Sequence, residues 1–341
     1  MEVYTYDRAE GSLYVHHDFN LPAFPLAVEW MDLPPGRGAA SAAIATGAIA
    51  ATEAMMRRSA GPSAAGVSPP VVLGAGSAGP SSASIPRGGS AGADSDLARR
   101  ALRLASEIRD DDLSGLVGSY VAVGTFHVGI EIWNLDVLDP LEPSAILGGL
   151  GGQVCASGTV PGPEGKLAPG SHSDAVMGLS WSREHRRLLC SASADKTVKL
   201  WDVTKGTCIN TWRHHTGKVV ACRFHPGSGG SASIVASASY DRSVCVIDAR
   251  KPKPKVMRCT LPADAEDVQW DPHNQWGLVA CAEGGTVAGF DMRKAAVPKW
   301  VTVAHKGACH AISFAPLLPG ILATAGADKA VRVWDTTRLE A

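Results

Sequence analysis

The chain lacks the features that mark membrane, secreted and zinc-binding proteins. No apolar run among its 341 residues approaches the roughly 20 residues that span a bilayer. The first residues, MEVYTYDRAE, have neither the basic nor the apolar region of a secretory signal. The 8 cysteines are widely spaced without a C-x-x-C pair, so we predict neither a zinc site nor a disulfide framework. We expect most of them to be small core residues in a reducing compartment.

Charge of one sign and catalytic signatures are also missing. The 32 Lys and Arg residues balance 33 Asp and Glu residues, for a net charge of −1. A dominant electrostatic footprint for nucleic acid is therefore not expected, although local basic patches are compatible with this balance. No nucleophile elbow, phosphate loop or metal constellation is recognisable, and the Gly-rich GGLGGQ at 148–153 follows no strand-to-helix pattern. The sequence therefore predicts no enzyme and no cofactor.

The chain does contain a repeated sequence motif. ASADKTVKLWD at 192–202 reappears as AGADKAVRVWD at 325–335. The residue before the closing Asp or Asn marks each repeat, and these residues are Trp133, Trp201, Ile247, Phe290 and Trp334. The last three steps are 46, 43 and 44 residues. A period of roughly 40–45 residues with Trp-Asp endings and short alternating runs is typical of four-stranded propeller blades, so we predict an all-β propeller.

Two interruptions account for the longer steps. Removing the Gly/Pro-rich segment 148–170 shortens the step from Trp133 to Trp201 to 45 residues. VYTYD near the start of the chain matches the third-strand pattern, and removing 35–115 places its Tyr6 46 residues before Trp133. We therefore predict a propeller formed by 1–34 and 116–341, and a Gly/Pro-rich loop at 148–170.

The inserted segment 35–115 is predicted to be mostly low-complexity, because it cannot bury enough apolar area to order itself. Its end differs, since Leu97, Leu104 and Ile108 fall on one helical face. This pattern predicts a short helix over 95–109. We expect the helix to rest on the side of the propeller, with the docking of a partner as the alternative.

The repeats predict five blades and a leading hairpin made of EVYTYD and SLYVHHD. In a closed ring the first strands often complete the last blade, which leaves no open sheet edge. The sequence continues only six residues beyond Asp335, just past a third strand. We therefore expect the chain to be a fragment or a truncated gene model, with a ring that closes in an unusual geometry as the alternative.

Polar residues recur at fixed positions within the repeats. The sets are His172, Ser191, Asp195 and Trp201; His215, Ser237 and Asp241; and His305, Thr324, Asp328 and Trp334. Their spacing predicts a hydrogen-bonded chain from the indole N–H to the hydroxyl, then to His, then to the turn Asp. We interpret each set of hydrogen-bonded side chains as a structural clip that ties the strands of one blade together. The alternative is Ser-His-Asp catalysis, but a triad is expected once, with an oxyanion hole.

Two repeats are incomplete. The repeat that ends at Ile247 lacks the indole. In the Phe290 repeat, Asp264, Val279 and Glu283 are assigned to the positions of His, hydroxyl and Asp. This blade is predicted to rely on packing alone and to be the least stable.

Two groups of residues are candidates for contact with partners. The tight turns carry Lys196, Tyr240, Arg242 and Lys329, which we expect on one face of the propeller. A methyl-lysine reader needs an aromatic cage, and Tyr240 is the only obvious candidate in these turns. The second group lies in ARKPKPKVMR and consists of Arg250, Lys251, Lys253, Lys255 and Arg258. We expect a solvated loop there, with phosphate contact to RNA or a nuclear address as the alternatives.

Longer segments carry a family resemblance. SLYVHHDFNLPAFPLAVEW (12–30), GSYVAVGTFHVGIEIWNLDVLDPLEP (118–143) and HSDAVMGLSW (172–181) closely resemble the periodic tryptophan protein 1 family of WD-repeat proteins. YVHHD, LDVLDPLEP and HSDAV are the most specific parts. One departure is that 148–170, with Lys166 as its single Lys, replaces a Lys-rich tract of the family.

The resemblance implies a WD40 β-propeller, seven-bladed when complete. It also implies a non-enzymatic scaffold of the nucleus and nucleolus, active in large-ribosomal-subunit assembly and pre-rRNA processing. The implied partners are other ribosome-assembly proteins and pre-ribosomal particles, with rRNA and histone tails as further candidates. Because family members are also linked to chromatin at ribosomal RNA genes, histone-tail binding is the alternative function. No membrane or small-molecule substrate is expected.

Overall fold

The computed structural model describes residues 2–7, 12–18, 21–33, 118–137, 140–294 and 297–339. They belong to one compact unit that comprises residues 1–34 and 115–341. The predicted insertion at 35–115 and its helix at 95–109 lie outside the described residues. Within them the fold is all-β, with three short 3-10 helices at Gly229–Ser233, Met292–Lys294 and Thr336–Arg338.

In the described part of the chain the strands form five blade-like sheets and two small hairpins. The leading hairpin pairs β1 (Glu2–Asp7) with β2 (Ser12–Asp18) in a separate two-stranded sheet. Blade A consists of β3 (Pro25–Leu33), β4 (Gly118–Thr125), β5 (Gly129–Asn134) and β6 (Ala145–Gly148). The second small hairpin pairs β7 (Val154–Cys155) with β8 (Gly158–Thr159).

The remaining strands make four further blades, in each of which strands pair in chain order. Blade B consists of β9 (Val176–Trp181), β10 (Leu188–Ser193), β11 (Val198–Asp202) and β12 (Thr207–Trp212). Blade C consists of β13 (Val219–Phe224), β14 (Ile234–Ser239), β15 (Ser243–Asp248) and β16 (Met257–Thr260). Blade D consists of β17 (Ala265–Trp270), β18 (Gly277–Ala282), β19 (Thr286–Asp291) and β20 (Trp300–Val303). Blade E consists of β21 (Cys309–Phe314), β22 (Ile321–Gly326) and β23 (Val331–Asp335). The predicted all-β fold of four-stranded blades is confirmed.

The segment 148–170 is more ordered than its composition predicts. Besides the hairpin of β7 and β8, isolated bridges join Leu150 to Leu167 and Gly151 to Glu164. A side chain at Gly151 would meet the backbone of Gly162 and the Pro163 carbonyl, which explains why glycine is required at this close approach. Backbone pairing therefore folds the segment without a large apolar core.

The core lies between consecutive blades, whose first strands are neighbours in the order β3, β9, β13, β17 and β21. Apolar side chains of blades B and C, of C and D, and of D and E form three separate buried clusters. Because both faces of most sheets are covered, the strand sequences are nearly continuous runs of apolar and small residues. Blade E is covered on the side of blade D, whereas Val331 and Val333 on its other side are 74% and 70% exposed.

A bulge recurs near the start of the first strand in all five blades. The register between the first two strands shifts there by one residue. The residues skipped by the pairing are Leu26, Met177, Val220, Glu266 and His310. A bulge bends the strand and redirects the adjacent side chain, so the blades share this bend as well as their pairing.

Side-chain hydrogen bonds also tie neighbouring blades. Backbone N–H groups donate from Trp181 to Glu29 Oε1 (3.0 Å), from Phe224 to Ser180 Oγ (3.0 Å) and from Ile312 to Asp267 Oδ2 (3.3 Å). Burial raises the pKa of both Glu29 and Asp267 above their usual values. These bonds cross from one first strand to the next and hold the blades in register.

In the part of the chain that the structure describes, no helix has the length and apolar character needed to cross a membrane.

Candidate functional site

Blade B brings the four predicted clip residues into one hydrogen-bonded chain. The Trp201 indole Nε1 donates to Ser191 Oγ at 2.8 Å, and Ser191 Oγ lies 2.7 Å from His172 Nε2. His172 Nδ1 lies 2.9 Å from Asp195 Oδ2. Because an indole only donates and an ionised carboxylate only accepts, Ser191 donates to His172 Nε2 and His172 Nδ1–H donates to Asp195.

The protonation states follow from burial and from these bonds. Burial lowers the pKa of His172 below its usual value, although the bond to Asp195 opposes this. Burial acts to raise the pKa of Asp195, but hydrogen bonds from His172 and from the Thr197 hydroxyl (2.6 Å) lower it well below its usual range. The clip is therefore a neutral imidazole bound to an ionised carboxylate.

The order of bonds equals that of a catalytic triad. The access of substrate to the serine differs, because Ser191 and Trp201 have 0% exposed surface and the indole N–H donates to the serine oxygen. A substrate carbonyl cannot approach this hydroxyl in the folded blade. The geometry therefore supports a structural role for the clip.

Blade E contains a second complete clip. The Trp334 indole donates to Thr324 Oγ1 at 2.9 Å, and His305 Nε2 lies 2.8 Å from the same hydroxyl. His305 Nδ1 lies 2.8 Å from Asp328 Oδ1. Arg332 donates to Asp328 Oδ2 at 2.8 Å and lowers the pKa of Asp328 well below its usual range.

Blade C replaces its missing indole by a second histidine. Ile247 occupies the indole position, and Ser237 Oγ lies 2.9 Å from His215 Nε2 and 3.1 Å from His214 Nε2. His215 Nδ1 lies 2.9 Å from Asp241 Oδ2, so His215 Nε2 accepts from Ser237 and His214 Nε2–H donates to it. Burial lowers the pKa of His214 to about 3, which keeps the ring neutral. Sequence reasoning missed His214, whose only signal is the doubled histidine at 214–215.

Blade D fills the clip positions with apolar side chains, and its predicted alignment is wrong by one residue. Phe290 pairs with Leu278 as Trp201 pairs with Leu189, so Phe290 occupies the indole position. The hydroxyl position then falls on Ala280, one residue after the predicted Val279.

The other two positions in blade D shift as well. The turn Asp position falls on Gly284 instead of Glu283, six residues before Phe290. Four residues before β17, where His172 precedes β9, stands the buried Leu261 instead of Asp264. With Leu261, Ala280 and Phe290 in the buried cluster between blades C and D, no polar group needs a partner there.

Blade A uses a different partner for its indole. Trp133 Nε1 donates to Glu131 Oε2 at 3.1 Å, two residues earlier on the same strand. Burial raises the pKa of Glu131 above its usual value, although the indole bond opposes the rise. Glu131 was not predicted, because no other repeat has an acidic residue at this position.

The candidate partner-facing residues of the turns also have a backbone role. Lys196, Arg242 and Lys329 have φ of 68°, 61° and 59°, the left-handed conformation that closes the tight turn. Their side chains are exposed, and Tyr240 is 37% exposed. Among the described residues no aromatic ring stacks on Tyr240 to form a cage.

The five candidate basic residues do not form one loop. Arg258 lies within β16, where it donates to Ser243 Oγ (2.6 Å) and to the His214 carbonyl (2.5 Å). Arg250 forms a two-bond pair with Asp248 at 2.9 and 2.7 Å. The exposed loop between β15 and β16 therefore carries Arg250, whose charge is paired, together with Lys251, Lys253 and Lys255. It follows the end of β15 and so lies at the opposite end of blade C from the tight turn.

Acid is expected to destabilise the clips. His172 has a lowered pKa in the fold, so the unfolded chain binds more protons below its usual pKa of about 6.5, and stability falls as pH falls from there. Asp195 adds a further loss below about 3.9. Urea unfolding at several pH values should show this fall, at most about 1.4 kcal/mol per pH unit for each group. His172→Gln should reduce the slope between about pH 6.5 and 4. A stability that rises on acidification would contradict the assigned protonation states.

Comparison with known proteins defines the class first. The model of the WD domain, G-beta repeat, matches residues 166–202, 206–248 and 297–335. Each matched range ends at the Asp that closes a third strand, Asp202, Asp248 or Asp335. The chain therefore carries WD40 repeats, and the predicted WD40 β-propeller fold is confirmed.

The full-length relatives are more specific. The chain is 29% identical over 337 residues to an uncharacterized WD repeat-containing protein of Schizosaccharomyces pombe, covering 99% of this chain and 49% of that protein. It is 26% identical over 336 residues to Periodic tryptophan protein 1 of Saccharomyces cerevisiae, covering 95% and 45%. A shorter match, 31% over 144 residues (39% and 32%), is to the Ribosome biogenesis protein WDR12 homolog of Oryza sativa. The predicted resemblance to periodic tryptophan protein 1 is confirmed, and the chain spans about half the length of the full-length relatives.

Proposed function

We propose that this chain is a non-enzymatic scaffold that acts in ribosome biogenesis, in large-subunit assembly and pre-rRNA processing in the nucleus and nucleolus. The similarity to Periodic tryptophan protein 1 along 95% of the chain and the shorter match to a ribosome biogenesis protein support this proposal. The expected partners are ribosome-assembly proteins and pre-ribosomal particles.

The structural observation that carries the proposal is the burial of the recurring polar sets. His172, Ser191 and Asp195 resemble catalytic machinery in sequence, but their hydrogen bonds are satisfied within the blade. Groups used to lock sheets together are not free for chemistry. The fold then offers surfaces at the two ends of the blades for the binding of partners.

The loop of Lys251, Lys253 and Lys255 is the surface that best suits a ribosomal particle. The three ammonium groups stand on exposed positions within five residues, and two prolines between them favour an extended backbone. Such spacing lets each Lys contact a separate phosphate, and no aromatic side chain interleaves them for base stacking. We infer sequence-independent contact with rRNA.

The test is gradient sedimentation of the tagged full chain from cells, together with depletion of the endogenous protein. We expect co-sedimentation with large-subunit precursors, and accumulation of unprocessed large-subunit rRNA precursors on depletion. The triple variant Lys251→Ala, Lys253→Ala and Lys255→Ala should leave the particles at lower salt than the unmodified chain, because each lost phosphate contact reduces the salt-dependent binding.

A matched triple variant of exposed lysines in other positions, Lys205→Ala, Lys218→Ala and Lys306→Ala, serves as the control for net charge. It should stay with the particles as the unmodified chain does. A normal precursor profile after depletion would count against the ribosomal role. Equal behaviour of the two triple variants would count against the loop contact alone.

A further inference from the structure

Three potential metal ligands converge in blade C. His214, His215 and Cys245 each offer a ligand atom, and these atoms lie within 4.8 Å of one another. They come from separate segments, since the histidines precede β13 and Cys245 stands in β15 opposite Ser237. Spacing along the sequence did not show this cluster, because no short motif joins its members.

A second observation marks the same place. His214 Nδ1 is buried and has no hydrogen-bond partner. Since His214 Nε2–H donates to Ser237, Nδ1 carries the free lone pair of a neutral imidazole. A buried nitrogen without a partner is rare in folded proteins and calls for an explanation.

We propose that His214, His215 and Cys245 form a binding site for a thiophilic metal ion of the zinc(II) and copper(I) class. A site with two imidazoles and one thiolate binds these two ions in preference to harder cations. Zinc–nitrogen and zinc–sulfur distances are about 2.0 and 2.3 Å, so the three side chains would move closer together when they bind one ion. Since His215 Nδ1–H stays on Asp241, the ion would bind His215 Nε2 in place of the hydrogen bond from Ser237 Oγ, which still accepts from His214 Nε2–H.

The surrounding charges allow a cation to bind. The Asp241 carboxylate accepts from His215 Nδ1 and orients that ring, as second-shell carboxylates do at metal sites. Binding releases the Cys245 thiol proton to solvent, and the thiolate adds a second negative charge. Arg258 opposes with one positive charge, and its side chain is 43% exposed, which weakens this opposition. The ion would link strand β15 to the segment before β13 in blade C, where a second histidine takes the place of the indole.

The experiment titrates the metal-free full chain with Zn²⁺ and, in a separate anaerobic arm, with Cu⁺ set by a competing chelator. We expect one equivalent to bind in at least one arm and to raise the melting temperature, because the ion binds the folded state. Co²⁺ should replace Zn²⁺ and give the absorption band of a thiolate-to-metal charge transfer. His214→Gln and Cys245→Ser should each weaken binding at least about tenfold, and Cys245→Ser should abolish the band.

Cys208→Ser is the matched control, since Cys208 is a partly exposed cysteine of the neighbouring blade B. It should keep both the affinity and the band. Far-UV circular dichroism and melting without metal show whether each variant is folded, and His214→Gln retains an amide donor for Ser237. The proposal is overturned if neither ion binds, if folded Cys245→Ser binds as tightly as the unmodified chain, or if Cys208→Ser removes the band.

Discussion

Replacing Ser191 by Ala is expected to lower the free energy of unfolding by about 2–5 kcal/mol. The hydroxyl accepts from the Trp201 indole at 2.8 Å and donates to His172 Nε2 at 2.7 Å, so its removal leaves two buried polar groups unpaired. A lost hydrogen bond costs little when water can replace it. Here the three side chains have almost no exposed surface, so the full desolvation penalty remains.

Equilibrium urea unfolding of the full chain measures the effect. Ser313→Ala is the matched control, because Ser313 stands at an exposed position of β21, and its effect should stay within about 0.5 kcal/mol. In a double-mutant cycle with Trp201→Phe, the two substitutions should be strongly non-additive, because both break the same bond. Additive effects would show that the indole and the hydroxyl are not coupled.

Replacing Phe290 by Ala is expected to cost about 3–5 kcal/mol, by cavity formation instead of lost hydrogen bonds. Phe290 is 3% exposed and packs with Ala280 and Leu261 between blades C and D. No polar group of the clip is present at these positions, so packing alone holds this part of blade D. The substitution removes the largest side chain among them.

Thermal and urea unfolding compare this variant with Val301→Ala, a half-exposed position on β20 of the same blade. Val301→Ala should have a small effect, within about 0.5 kcal/mol. Ala280→Ser is a second informative change, because it places a buried hydroxyl among apolar groups with no indole or imidazole to bond. A cost below about 1 kcal/mol for Phe290→Ala would contradict the packing explanation.

Blades B and D reach the same strand pairing by opposite means. In blade B a polar chain from Trp201 to Asp195 crosses the sheet, and every member has a partner. In blade D the same positions are apolar, and none needs one. Intermediate sets are expected to be unfavourable, since a partly satisfied polar network is worse than an apolar core. Blade C avoids this outcome at Ser237, because His214 supplies the donor that Ile247 lacks.

The sequence by itself determined the repeat and the members of the two complete clips. Trp201 and Trp334 recur with the same offsets to Ser191 and Thr324, and a fixed offset in antiparallel strands places side chains on the same face. It also indicated the propeller class and the family resemblance. These properties are local, because one blade is contained in about 40–45 consecutive residues.

Only the tertiary structure decided what depends on contacts between distant segments. The alignment of blade D follows from the pairing of Phe290 with Leu278, which a one-residue shift in sequence offset conceals. Two findings in blade C depend on the assembly of its strands. Arg258 lies in β16 and outside the basic loop, and Cys245 lies beside His214. Linear spacing carries no information about such encounters, because sheet pairing joins residues whose separation along the chain is set by turns and loops of variable length.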